Sequence, residues 1–130
     1  MRNTLKAYER LKREQHIDTL FRTGKAFSVF PLKCVYLPVT RASEMPPTLA
    51  GFSVPKKKFR KSVDRQRVKR LMREAWRLQK HVLATAAAPE RQLHVFFIFT
   101  GPELPDLKTV QTAMAKCIDK LMPQMTDAHA

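Results

Sequence analysis

Glycine, cysteine and acid are all scarce in this 130-residue chain, which has three glycines, two cysteines and 11 Asp plus Glu. Three glycines, each in a separate segment, exclude the Gly-rich loops that cradle phosphates. Cys34 and Cys117 stand far apart inside apolar-patterned segments, so they read as two buried, reduced thiols rather than a disulfide or a metal pair. His16, His81, His94 and His129 show no ligand-like spacing to one another or to a cysteine, and solvated or capping roles are expected of them. The acids are too scattered to hold a pair of Mg²⁺ ions, and neither G-x-S-x-G nor H-E-x-x-H occurs. No apolar run approaches the roughly 18–20 residues of a membrane span, and the opening "MRNTLKAYERLKREQHIDTLF" has no secretory-type apolar region. A cytoplasmic protein is expected, one whose reactive groups, if it serves an enzyme, lie in another molecule.

Positive charge is abundant and concentrated. Lys and Arg number 25, for a net charge of +14. Residues 56–80, "KKKFRKSVDRQRVKRLMREAWRLQK", hold 12 of these cations against Asp64 and Glu74 alone, and so supply +10 of the total. Residues 1–25 add +4, while residues 81–130 carry −1. A focused field of this sign is the footprint of a polyanion partner, nucleic acid before all others. A merely soluble surface would intersperse both signs.

The length fits one domain with a core of its own. The first dozen residues read as a flexible basic arm. Ile17, Leu20 and Phe21 share a helical face over about 14–22, with Gly24 placed to end that helix. "AFSVFPLKCVYLPV" (26–39) reads as a short strand and then a longer one from about 32, limited by Pro31 and Pro38. A loop over 41–47 precedes a strand over 48–54, in which Gly51 suggests a bulge or a close backbone approach. Ser62 is the expected N-cap of a long helix reaching about Leu83. "HVFFIFT" (94–100) is continuously apolar, as expected for a strand covered on both faces. Asp106 caps a last helix that Pro123 is expected to stop, and 124–130 reads as a disordered tail. The order is α-β-β-β-α-β-α, an α+β fold in a single domain over 1–123.

At about 100° per residue, Val68, Leu71, Met72, Ala75 and Val82 fall in one arc of the basic helix, with Leu78 at its edge. This is a core stripe. Lys69, Arg70, Arg73, Arg77 and Lys80 fall on the other side, and Arg65 and Arg67 flank the first turn. Asp64 and Glu74 cannot neutralise so many cations by i,i+4 pairing, whereas phosphates would remove the mutual repulsion and release counterions. Arginine outnumbers lysine on the helix, which suits forked contacts to phosphate oxygens. A non-enzymatic RNA- or DNA-binding module of ribosomal type fits the same helix. A membrane-surface role fits less well, because the apolar face is committed to the sheet.

"FSVPKKKFRKSVDRQRVKRLMREAWR" resembles the signature of the protein subunit of bacterial ribonuclease P: a strand ending in Ser-Val and a lysine pair, then a helix opening with Arg-Asn-Arg, an aliphatic residue and Lys-Arg. Arg65, Gln66, Arg67, Val68, Lys69 and Arg70 match that opening, with Gln66 in place of the motif's Asn. "RLKREQHIDTLFRTGKAF" is similar to the family's N-terminal segment. The resemblance implies a two-layer sandwich in which the basic helix crosses between parallel strands with the uncommon left hand. It implies a catalytic RNA, using Mg²⁺, that removes the 5′ leader of precursor tRNA, with the polypeptide as its non-catalytic partner in a 1:1 ribonucleoprotein and no membrane involved. By the same resemblance Arg65, Gln66, Arg67, Arg70, Lys57 and Lys58 would bind the catalytic RNA. A cleft between the first helix and the sheet would hold the leader, with Ile17, Phe21 and Tyr36 as its surface and Lys69 and Arg73 meeting leader phosphates.

Overall fold

The structure is a computed structural model and describes residues 14–42 and 45–125. A short helix, α1 (Glu14–Thr23), leads into a hairpin of β1 (Lys25–Val29) and β2 (Leu32–Thr40). β3 (Thr48–Ser53), the long helix α2 (Ser62–Ala86), β4 (Arg91–Phe99) and α3 (Leu107–Met125) follow. The expected order of elements is therefore present, in one mixed α+β domain. The flexible arm expected over 1–12 lies outside the described residues.

The four strands lie in the order β1-β2-β4-β3. β2 pairs antiparallel with both β1 and β4, and β3 pairs parallel with β4, so α2 is the crossover between two parallel neighbours. Residues 48–53 pair one-to-one with 93–98, so Gly51 makes no bulge. Pairing between β1 and β2 stops at Tyr36, which leaves Pro38 paired on one side only; its missing N–H is accommodated on the open side.

Strand alternation sends β4 to two different covers. Leu93, Val95, Phe97 and Phe99 face α2 and α3 in the main core, together with Cys34, Ala50, Met72, Trp76, Met114 and Leu121. Trp76 meets Phe97 at 5.4 Å between ring centroids, and Phe52 stacks on Phe97 at 5.8 Å. Phe96 and Ile98 face the other way and pack with Val35, Leu37, Leu49, Ile17 and Leu20. The two helices and the sheet make the expected two-layer sandwich, and α1 adds a partial cover to the second face of the sheet. The two-sided burial read from "HVFFIFT" follows from this arrangement.

Several boundaries differ from expectation for local reasons. The residue at the N-cap of α2 is Lys61, not Ser62, and no side chain caps the helix. α3 runs through Pro123 to Met125, so 124–125 belong to the helix rather than the tail. Proline in the last turn removes one intrahelical bond, and the buried Met125, whose carbonyl accepts the Ala88 N–H at 2.8 Å, fastens that turn. The buried stripe of α2 is Val68, Met72, Ala75, Trp76 and Leu83, while Val82 (39% exposed) and Leu78 point outward. The stripe is rotated towards Trp76 because α2 must pack against α3 as well as the sheet; Gln79 Nε2 donates to the Gln111 carbonyl of α3 at 3.1 Å.

Candidate nucleic-acid interface

The start of α2 and the loop before it concentrate the cations. Lys56, Lys57, Lys58, Arg60 and Lys61 are exposed, as are Gln66, Arg67 and Arg70 on the first turns of the helix. Among the described residues none of these cations has a carboxylate within ion-pair distance. Arg65 is placed differently. Its guanidinium donates to the carbonyls of Phe59 (2.8 Å) and Arg60 (2.9 Å), so it braces the basic loop against the helix. Further along, Arg77 pairs with Glu74, its Nε donating to Oε2 at 3.1 Å, and the contact holds the Glu74 carboxyl below its ordinary pKa. Glu74 is thus committed to the distal part of the helix and does not quench the cations of its first turns.

A second feature lies on the opposite face of the sheet. α1 is pinned there by Leu20, fully buried against Val35 and Leu49. Ile17 packs beside it, and Phe21, 46% exposed, meets Phe96 edge-on at 5.2 Å. Gly24 sets how closely α1 approaches. Its N–H donates to the Leu20 carbonyl at 2.8 Å, and a Cβ there would lie 2.5 Å from Leu20 O and 2.7 Å from Tyr36 O. No glycine among the described residues has a positive φ, so this one is required for space and not for a left-handed turn.

At the far end of the same face His16 meets His94, with ring centroids 5.1 Å apart. His94 is buried in β4, not solvated as expected from sequence. Its Nε2 lies 3.1 Å from Gln92 Oε1, and Gln92 Nε2 donates to the Pro46 carbonyl at 2.8 Å. The Gln92 oxygen can only accept, so His94 carries its proton on Nε2. Burial, with a contribution from His16, pushes its pKa down to about 4 and keeps it neutral.

The residues expected to form the cleft divide. Ile17 and Phe21 come together on the α1 face, joined by Phe96, which sequence reasoning missed. Tyr36 does not join them. It lies on the α2/α3 face, half-buried against the main core, with Phe27 at 5.8 Å. Adjacent strand residues point to opposite faces, so Val35 and Leu37 take the cleft side instead. The signal for Phe96 was the unbroken apolar run of β4, whose second face needs a cover of its own. Lys69 and Arg73 stand half-exposed one turn apart on α2. α2 and α1 pack on opposite faces of the sheet, so these two cations do not stand beside Phe21 and Phe96.

The described residues contain no group of three or more His, Cys, Asp or Glu placed to hold a metal ion. No helix among them is long and apolar enough to cross a membrane. Fold and charge together define a small α+β protein with a cationic helix on one side of its sheet and a partly aromatic surface, where α1 packs, on the other.

The family model of ribonuclease P matches residues 5–122. The chain is 44% identical over 117 residues to the ribonuclease P protein component of Porphyromonas gingivalis strain ATCC 33277, covering 87% of this chain and 82% of that one. It is 40% identical over 129 residues to that of Chlorobium phaeobacteroides, covering 92% and 88%. Among solved structures, the RNase P protein of Staphylococcus aureus superposes with a TM-score of 0.68 at 18% identity, covering 88% of this chain and 95% of that one. The RNase P protein of Thermotoga maritima gives 0.65 at 22%, covering 86% and 96%. The chain belongs to the ribonuclease P protein family, the protein subunit of an RNA-based endoribonuclease. Membership makes ribonuclease P RNA its partner.

Proposed function

We propose that the polypeptide binds ribonuclease P RNA through the cationic start of α2 and guides the 5′ leader of precursor tRNA along the α1 cleft, in a 1:1 particle working in the cytoplasm. The observation that carries this reading is the run of cations from Lys56 to Arg70, which among the described residues pairs with no carboxylate, Arg65 being held by backbone carbonyls instead. Arg67, Arg70, Lys57 and Lys58 present their charges to RNA phosphates, with Gln66 between them as a neutral donor and acceptor. Arg65 contributes charge and also fixes the loop. Phe21, Phe96 and Ile17 offer a leader base an apolar, partly aromatic floor that tolerates any sequence, as stacking on a π-face does. Lys69 and Arg73 neutralise leader phosphates on the opposite face of the sheet. Cleavage belongs to the RNA and its Mg²⁺; the protein neutralises charge around both.

Reconstitution tests this directly. Protein alone leaves precursor tRNA intact, while protein with its cognate RNA removes the leader at lower Mg²⁺ than RNA alone. Cleavage by the polypeptide without RNA refutes the proposal. Equal affinity for precursor and mature tRNA would remove the leader cleft and leave an RNA-binding module of ribosomal type.

A further inference from the structure

We propose that Phe30, at the tip of the β1–β2 hairpin, stacks on an unpaired base of the catalytic RNA, beside phosphates held by the basic loop 56–61. The inference rests on the RNA-binding reading above. Phe30 is 71% exposed, more than any other large apolar side chain among the described residues. A single exposed ring is ordinary on a protein surface, but this one stands on a held turn at the same end of the sheet as the basic loop.

The support is built from three contacts. Pro31 is buried, and its carbonyl accepts the Thr100 N–H at 2.8 Å. Leu32 pairs with Phe99 across the sheet. A Cβ on Gly101 would lie 2.8 Å from Phe99 Cζ and 3.0 Å from Pro31 Cβ, so the chain leaving β4 is pressed against the hairpin tip. Phe99 in turn meets the ring of Phe59, in the basic loop, at 5.9 Å. Hairpin tip and basic loop therefore share one end of the sheet, with Phe99 between them. Arg65 braces the loop through the Phe59 and Arg60 carbonyls. Lys56, Lys57, Lys58, Arg60 and Lys61 project from it, and Asp64 and Glu103, the acids nearest this end in the chain, are outnumbered.

Because the turn itself is held, only the side-chain rotation of Phe30 remains to be fixed when the ring is covered. With a cationic loop at the same end of the sheet, it matches single-stranded nucleic acid, whose bases stack while its phosphates are neutralised. The position is distinct from the α1 cleft. Phe30 precedes Val35 by five residues, which is roughly 16 Å along a strand, so one base cannot occupy both places. The leader lies over Phe21 and Phe96, and the catalytic RNA supplies the base at Phe30.

The test measures binding of the full-length protein to its catalytic RNA in the absence of precursor tRNA, across a salt series. Stacking of one base is worth about 1–3 kcal/mol, so Phe30→Ala is expected to weaken binding roughly 5- to 150-fold. Its salt slope stays that of the wild type, because no phosphate contact is lost. Phe30→Trp keeps the affinity, and its fluorescence is quenched by the RNA, while the wild type, whose one tryptophan, Trp76, is fully buried, shows no such change. Wild-type affinity in Phe30→Ala or in Phe30→Leu overturns the proposal, as does quenching that requires leader-bearing substrate. Failure of the wild type itself to bind would refute the RNA reading on which the proposal stands, a result plainly different from loss of the Phe30 effect alone.

Discussion

At position 24 a methyl group would meet the carbonyls of Leu20 and Tyr36, which ties the end of α1 to the backbone of β2. Gly24→Ala must therefore push α1 off the sheet and widen the gap between Phe21 and Phe96. We expect a stability loss of about 1–3 kcal/mol by urea unfolding, together with a reduced preference for precursor over mature tRNA. Phe21 and Tyr36 separate under the same assays. Phe21→Ala, at a half-exposed ring, reduces leader discrimination with little change in stability. Tyr36→Ala removes packing from the main core and lowers stability by about 2 kcal/mol or more, leaving discrimination intact. The sequence displayed both aromatics but could not rank them, because strand register decides the face and a shift of one residue reverses it. His94 was equally opaque, since nothing local announces that a strand histidine will be covered by α1. Its folded pKa of about 4 lies below the ordinary 6.5, so the unfolded chain binds the extra proton first. His94 thus costs no stability above pH 6.5, and the fold loses up to about 3 kcal/mol as pH falls from there towards 4. A His94→Gln variant compared with wild type by urea unfolding across that window should show a flatter pH dependence.

Among the elements, α2 joins two tasks along one rod. Its order in the chain, its length to within one turn and its split into apolar and cationic sides were legible from periodicity alone. The rotation of the apolar stripe was not. Trp76 and Leu83 are buried and Val82 is not because α3 occupies a direction that no local pattern records. The same limit applies to Arg65, which reads as one more free cation until the Phe59 and Arg60 carbonyls are seen to hold it. Two arginines of one motif should therefore behave differently. Arg67→Ala should weaken RNA binding and lower the salt slope by about one unit while unfolding like the wild type. Arg65→Ala should do the same and also lose about 1–2 kcal/mol of stability, because two carbonyls lose a charged donor. Identical urea midpoints for the two variants would contradict the bracing role.

For the molecule as a whole, the lopsided charge sets opposite salt dependences for folding and for binding. Like charges crowded over residues 56–70 repel one another in the free protein, and salt screens that repulsion. The melting temperature of the free protein should therefore rise between about 50 mM and 300 mM salt, while RNA affinity falls over the same range. A melting temperature that falls as salt is added would mean that the ridge is already neutralised by the protein itself. The fold class, element order and basic surface were all written in the chain because they depend on composition and period. The α1-facing surface was written only in part, because it is assembled from β2, β3 and β4, which meet only in the folded sheet.

Cys34 and Cys117 have a practical consequence. Both lie in the main core, and burial raises both thiols, Cys117 to about 12. The native protein is therefore nearly silent to alkylating reagents at neutral pH. A cysteine introduced at Arg67 or at Phe30 would be the one reactive handle, so a tethered cleavage reagent or a dye could trace the path of the RNA across the surface without any background thiol having to be removed.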